Sequence, residues 1–403
     1  MDWAETLFPS IKHRLLDLAA GVGVPEALLP FLSAALSISP LLMVFPFLFA
    51  MTTIFERKGL GRIQNRYGPN RVGIPFTDIR LAGFGQFIAD GIKSLTKEDV
   101  VPHVADKLVH FLAPVMLLVP SLLAFSVLPL GRELVPLEMD AGLLFFFAIG
   151  GVAELAVFMA GWSSRNKYSL LGAMRGIAQM ISYEMPLILS ALVVVMAAGT
   201  LSPMEIVRSQ AEYGRLGIAQ WNVFSPWGAL GFVLFFIAAL AESNRSPFDL
   251  PEGESELVAG YFTEYSGFKF AMFFMAEYMG LFAAMGMGIT LFLGGWSAPV
   301  KFLTFIPSYG WFFGKLLCLI FLIIWIRGTM PRIRMDQLMA FAWKFMLPLA
   351  LMNFLLAGSV RFMPTMLGQW LAAIPIIIFA WGGLARALSG GRMPAPRQYR
   401  FAE

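Results

Sequence analysis

The stretch AESNRSPFDLPEGESELVAGYFTEYSG, residues Ala241 to Gly267, lies between two apolar runs, Val223–Ala241 and Phe270–Leu293, each long enough to cross a bilayer. It holds six carboxylates, Glu242, Asp249, Glu252, Glu254, Glu256 and Glu264, against one cation, Arg245, in a chain of formal net charge +4. The local charge balance is the inverse of the chain's. Pro247 and Pro251 each remove a backbone donor, so a helix arriving from Leu240 stops and the stretch leaves the span as a bent loop. Beyond them, Glu252 and Glu256 share one face of a short helix, with Glu254 offset from it. Two readings are open at this point: a partly buried acid cluster that handles protons, or a solvated acidic loop.

Composition decides the class on either side of that loop. Of 403 residues, 58% are hydrophobic and 14% are charged, whereas a soluble globular chain carries about 25% charged residues. The expected fold is all-α, a polytopic transmembrane helical bundle. No polar interval is long enough for a separate soluble domain, so residues 1–403 read as one integral membrane domain with its bundle over 28–388. Apolar runs recur at Leu28–Phe55, Val109–Leu130, Gly142–Trp162, Ile177–Ala198, Val223–Ala241, Phe270–Leu293, Tyr309–Trp325, Trp343–Val360 and Met366–Leu384, which predicts about nine spans. Ahead of them, Trp3–Leu18 reads as an interfacial helix, and the sequence there has no cleavable signal peptide with a charged leading segment. Most of the 30 Lys and Arg residues fall in the loops after spans 1, 3, 5 and 7 and in the tail 389–403. By the positive-inside rule the N-terminus is outside and the tail cytoplasmic. The positive charge is therefore a topology signal, and no nucleic acid is implied.

The loops on the cytoplasmic side are the chemically dense ones. Loop 56–107 opens with ERKGLGRIQNRYGPNRVG, in which Arg57, Lys58, Arg62, Arg66 and Arg71 alternate with glycines and a proline that predict tight, extended backbone. An amphipathic surface helix follows over Thr77–Leu95, with Phe84, Phe87, Ile88, Ile92 and Leu95 on one face, lying in the headgroup plane. The basic run either docks a partner or merely fixes orientation against anionic lipid. SSRNKYSLLGAMRG carries Gly172 and Gly176 four apart, a spacing for close helix packing. RGTMPRIRMDQLM carries Arg327, Arg332, Arg334 and Asp336, with Pro331 breaking the helix. There is no nucleotide-binding glycine motif and no CxxC. Cys318 alone excludes a disulfide framework or a four-cysteine cluster, and His13, His103 and His110 lack metal-ligand spacing, so no metal site is read from the sequence.

Four carboxylates fall inside or at the ends of spans: Glu154, Glu184, Glu242 and Glu277. A charge at a helix centre costs about 2.5 to 3.5 kcal/mol on insertion scales, so each is expected to face protein or water. Such acids are candidates for a proton or ion relay. A structural Arg partner explains any one of them but not all four.

At these residues the chain resembles a known family, the quinone-site membrane subunit, designated H, of bacterial NADH–quinone oxidoreductase, respiratory complex I. The resemblance is carried by ERKGLGRIQNRYGPNRVG with FIADGIKSLTKED, by ISYEMP, by the Ala241–Gly267 loop with FMAEY, and by RGTMPRIRMDQLM with WKFMLPLALMN. These cover most of the chain between about residues 55 and 353, with a departure at Gln86-Phe87 where the family usually has Gln-Pro.

The resemblance implies a mechanism. Hydrophilic iron–sulfur subunits bring electrons from NADH, and a quinone, ubiquinone or menaquinone, enters a tunnel beside this subunit. The chain itself, with no cofactor of its own, supplies the tunnel's membrane section and an acidic path to proton pumping in neighbouring membrane subunits. It implies that Arg57, Arg62, Phe84, Phe87, Arg245, Phe248 and Asp249 border the quinone path. Glu184, Glu242, Glu277 and Glu154 would form the proton path with Glu252, Glu254, Glu256 and Glu264 of the acidic loop 242–269. Arg66, Arg71, Arg332, Arg334 and Asp336 would dock other subunits. The implied location is a bacterial inner membrane. Two alternatives are the equivalent subunit of a membrane-bound hydrogenase or related dehydrogenase, and a free-standing transporter, which should show two matching halves that are absent from this sequence.

Overall fold

The structure, a computed structural model, describes residues 3–21, 25, 28–73, 82–214, 217, 219–251, 258–360, 363 and 366–389. Among them are twelve helices and no named strand: α1 (Trp3–Gly21), α2 (Leu29–Ile63), α3 (Gln86–Thr96), α4 (Lys107–Leu123), α5 (Gly142–Ser163), α6 (Lys167–Ala198), α7 (Pro203–Gln210), α8 (Pro226–Glu242), α9 (Gly267–Phe292), α10 (Ser308–Thr329), α11 (Met335–Val360) and α12 (Met366–Ser389). Seven of them, α2, α4, α5, α6, α9, α10 and α11, are long and apolar enough to cross a membrane. Shorter apolar helices occupy Pro226–Glu242 and Gly368–Gly383. Each apolar run of the sequence falls on one of these nine helices.

Helix α9 is the axis of the bundle. Every residue from Leu281 to Phe292 is buried, and a helix apolar on all sides must be surrounded. Gly286 and Gly288 let neighbours come close: a Cβ on the first would lie 3.0 Å from Leu128, and on the second 3.0 Å from the Phe235 ring. Around α9 stand α4, α8, α10 and α2, with α5 and α6 completing the contact between α4 and α8.

Three helices reach further toward the predicted cytoplasmic side than the hydropathy runs. Helix α2 continues past Phe55 to Ile63, so ERKGLGRI is helical rather than extended. Glycines on both sides of its contact with α10 serve packing: a Cβ on Gly59 would lie 3.2 Å from Ile324 of α10, and Ile63 occupies the space a Cβ on Gly328 of α10 would need, at 2.6 Å. Helix α6 starts at Lys167, ten residues before its apolar run, because the Asn166 side chain caps it by accepting from Tyr168 N at 3.0 Å. Helix α11 starts at Met335 and passes through a π turn at Ala342–Met346. Polar residues fill these outer turns, and hydropathy alone therefore misses them. The surface helix runs over Gln86–Thr96, later than expected; residues 77–81 of the predicted helix lie outside the described residues. None of its residues is buried, and Ile88, Ile92 and Leu95 face outward, as an interfacial helix requires.

Candidate functional site

The Ala241–Gly267 loop is folded back into the bundle as far as it is described. Helix α8 ends at Glu242, and Asn244 takes a left-handed conformation (φ 52°) that Asn tolerates. Gln179, fully buried on α6, holds both ends of the next turn: its Nε2 donates to the carbonyls of Ala241 and Phe248, each at 2.7 Å, and lies 3.3 Å from Asn244 Oδ1. Phe248 packs on Tyr183, whose hydroxyl donates to the Leu338 carbonyl at 3.1 Å, and Ile333 N donates to the Pro247 carbonyl at 3.2 Å. The segment before α11 thereby closes over the loop. Where the chain returns, a Cβ on Gly172 would stand 2.6 Å from Gly260 Cα. The small residues of α6 thus admit the loop's own backbone.

This folding buries Arg245. Its side chain and that of Glu277 on α9 are 6% and 7% exposed, with Nη2 3.9 Å from Oε2. The guanidinium also lies over the Tyr278 ring, 3.8 Å from its centroid. The other Glu277 oxygen accepts from the Tyr261 hydroxyl at 2.8 Å. Beside this pair is a cavity of about 100 Å³ among α4, α5, α6, α8 and α9, lined by Glu184, Glu242, Glu277, Asn244 and Tyr261 amid apolar side chains. A cavity of that size holds water where polar groups supply partners. Glu242 Oε2 is buried with no hydrogen-bond partner among the described residues. Glu154 of α5 and Glu184 of α6 both stand near enough to Glu242 for their charges to act on it.

A second buried group continues from Arg245 on the other side of Tyr278. The Tyr278 hydroxyl donates to one oxygen of Glu56, two turns before the end of α2, and Arg327 of α10 donates to the other. Glu56 is 6% exposed, and Arg245 and Tyr278 line the same small gap as Glu56 and Arg327. The result is one polar chain, Glu242/Glu184, Glu277, Arg245, Tyr278, Glu56, Arg327, crossing the bundle beneath the loop.

The other expected residues are distributed as follows. Arg57 pairs with Asp90 of α3 at 2.6 Å, Lys58 donates to the Ala82 carbonyl, and Phe84 meets Phe55 edge-on at 6.2 Å, so the surface helix is pinned to the end of α2. Phe87 is half-buried on that helix, and Arg62 lies over the Tyr67 ring. Glu264 is not part of the buried chain: its Oε1 accepts from Asn166 Nδ2 at 2.7 Å beside the start of α6. Arg66, Arg71, Arg332, Arg334 and Asp336 are exposed. Asp249 is half-buried in the loop near Glu277, while Glu252, Glu254 and Glu256 lie outside the described residues. Sequence reading missed Glu56, Gln179, Tyr261, Tyr278 and Arg327 as members of the site. An acid and an arginine at the same end of separate apolar runs was the available signal for Glu56 and Arg327; the other three carry none.

Fold and site together define a polytopic helical membrane protein with a buried carboxylate–arginine chain under one loop. A family model described as NADH dehydrogenase matches residues 36–358. The chain is 47% identical over 306 residues to the NADH-quinone oxidoreductase subunit designated H from Geobacillus kaustophilus, covering 76% of this chain and 87% of that one. It is likewise 47% identical over 321 residues to the subunit of that name from Dehalococcoides mccartyi, covering 79% and 85%. The chain belongs to this NADH dehydrogenase family.

Proposed function

We propose that the chain, as the quinone-site membrane subunit of a proton-translocating NADH–quinone oxidoreductase, forms the membrane section of the quinone path and links quinone reduction to proton movement through the carboxylates beneath the Ala241–Gly267 loop. Reducing a quinone takes two protons with two electrons, so titratable groups must stand near its path. The electrons come from iron–sulfur subunits docked on the cytoplasmic face, where Arg66, Arg71, Arg332, Arg334 and Asp336 are exposed. The quinone, ubiquinone or menaquinone, enters beside α3, where Arg57, Arg62, Phe84 and Phe87 gather at the end of α2. Protons pass among Glu154, Glu184, Glu242 and Glu277, with Arg245 and Asp249 at the loop end. The membrane is the bacterial inner membrane, with the N-terminus outside and the C-terminus cytoplasmic.

The observation that carries this reading is the burial of Arg245 against Glu277 at the edge of a cavity that also holds Glu184 and Glu242. A solvated acidic loop would leave that arginine in water. In an assembly shown intact by native gel, Arg245→Ala and Glu184→Gln should each cut NADH:quinone reductase activity at least tenfold while electron transfer from NADH to ferricyanide survives. Glu138→Gln, which removes one partner of an exposed pair with Arg208 at 3.8 Å, should be silent. Near-normal quinone reduction in both test variants would sink the proposal.

A further inference from the structure

At the opposite end of the bundle from the acid chain, a cleft of about 520 Å³ lies between α1, the first half of α2, the segment after α4 and the start of α10. That volume is within the roughly 300 to 1,000 Å³ of small-ligand sites. Its lining changes character along α2: Ser33 and Ser37 come first, then Pro40, Leu41, Val44 and Phe45, a run of about 12 Å from Ser37 to Phe45 at 1.5 Å per residue. Lys12 and His13 of α1 and Glu133 of the segment after α4 supply the charged and titratable side chains. The cleft is therefore shaped for an amphiphile, polar where the span begins and apolar at depth.

Headgroup chemistry follows from the donors. Lys12 Nζ donates to Ser37 Oγ at 2.7 Å, and Ser37 Oγ in turn donates to the Ser33 carbonyl at 3.1 Å. An ammonium has three N–H donors, so among the described residues two of those on Lys12 are left for an acceptor in the cleft. Lys12 forms no ion pair with Glu133 among the described residues, although both line the cleft, which suits a ligand carrying both signs of charge. We propose that this cleft holds one phospholipid with a primary-amine headgroup, its phosphodiester against Lys12, its ammonium against Glu133 and an acyl chain along Leu41, Val44 and Phe45. Helix α1 lies outside the segment 36–358 matched by the family model, whereas Ser37 to Phe45, Glu133 and Tyr309 lie within it.

The test uses the whole assembly in vesicles containing a trace of phosphatidylethanolamine or phosphatidylglycerol with a photoreactive acyl chain, and maps the labelled peptides by mass spectrometry. Phosphatidylethanolamine should label the peptide spanning 33–45 at least fivefold more than phosphatidylglycerol. Lys12→Glu should abolish that labelling, and Glu133→Gln should remove the preference between the two lipids. Ser37→Ala, which deletes only a hydroxyl, carries the same test if Lys12→Glu prevents assembly, and should lower labelling at least threefold. Equal labelling by both lipids in the unaltered assembly, a preference for phosphatidylglycerol, or no labelling because another subunit covers the cleft would each overturn the proposal.

Discussion

Removing the Arg245 guanidinium takes away the ionic partner 3.9 Å from the Glu277 carboxylate, which also accepts from the Tyr261 hydroxyl, in a site where both ionic side chains are less than a tenth exposed. Breaking a buried pair by deleting one partner costs about 3 to 5 kcal/mol, against about 0 to 1 for an exposed one, so Arg245→Ala and Glu138→Gln should differ in thermal stability as well as in activity. Gln179 gives a sharper test of how the loop is held. Its amide nitrogen has two N–H donors and serves two carbonyls at 2.7 Å, whereas a carboxyl offers at most one donor, and only when protonated. Gln179→Glu therefore takes the side-chain donor from at least one of these carbonyls, leaving it its backbone donor (Asn244 N at Ala241, Leu250 N at Phe248), at about 0.5 to 1.5 kcal/mol for the lost bond, and sets a carboxyl oxygen against it. Quinone reductase activity of a native-gel-intact assembly should fall by an order of magnitude or more, whereas Gln179→Lys, which keeps donors, should retain more of it. At this scale the sequence showed the acids and Arg245, because charge inside apolar surroundings stands out. It did not show Gln179, Tyr261 or Tyr278, whose roles depend on which carbonyl or carboxylate lies opposite.

Helix packing decides whether the loop can be held at all. Gly172 of α6 touches the backbone at Gly260, which has little room to yield because Gly260 is itself buried at φ 56° ahead of the buried Tyr261 and Phe262. Gly172→Val should cost about 1 to 3 kcal/mol from overpacking and loosen the return of the loop. The check is a lowered melting temperature of the purified assembly together with reduced quinone turnover; a variant melting at the original temperature would mean that the contact is not tight. The same residues show what was legible at the level of elements. The four-residue spacing of Gly172 and Gly176 signalled close packing, but Gly172 meets the loop backbone at Gly260 and Gly176 meets the Pro251 side chain with Val157 of α5 beyond it, and spacing says nothing about partners. In α2 the glycines of ERKGLGRI read as punctuation in one dimension, yet they are places where α10 and the following turn press against a continuous helix.

For the whole molecule, the fold class followed from composition and run length, since only helices or closed barrels bury backbone groups in hydrocarbon. The orientation rests on charge asymmetry and has a direct test. Cysteines placed at exposed Lys167 and Ser209, at opposite ends of α6 and the segment after it, should react with an impermeant thiol reagent from the cytoplasm and from outside respectively. Ser164, although in the same loop as Lys167, is buried and would report nothing. The native Cys318 faces away from the bundle on α10, so lipid rather than protein must shield it. Reversed labelling would invert the placement of every loop discussed above. Extracted in mild detergent, the chain should also migrate with a large assembly; an isolated, active monomer would contradict its role as one subunit of an oxidoreductase.

The π turn at Ala342–Met346 bears on how this chain tolerates changes of length. A π turn accommodates one surplus residue locally, so the helix on either side keeps its phase. On one side Leu338 receives the Tyr183 hydroxyl, and on the other Asn353 donates to the Trp227 carbonyl at 3.1 Å. Deleting the exposed Lys344 should let the turn anneal into ordinary α-helix with both anchors still aligned, and the assembly should persist on a native gel. Deleting Ala350 from the regular turns beyond would instead rotate the following residues by about 100° relative to the preceding turns and carry Asn353 away from its partner. The surplus residue acts as slack in the register of α11, and length variation in this helix should concentrate at that turn.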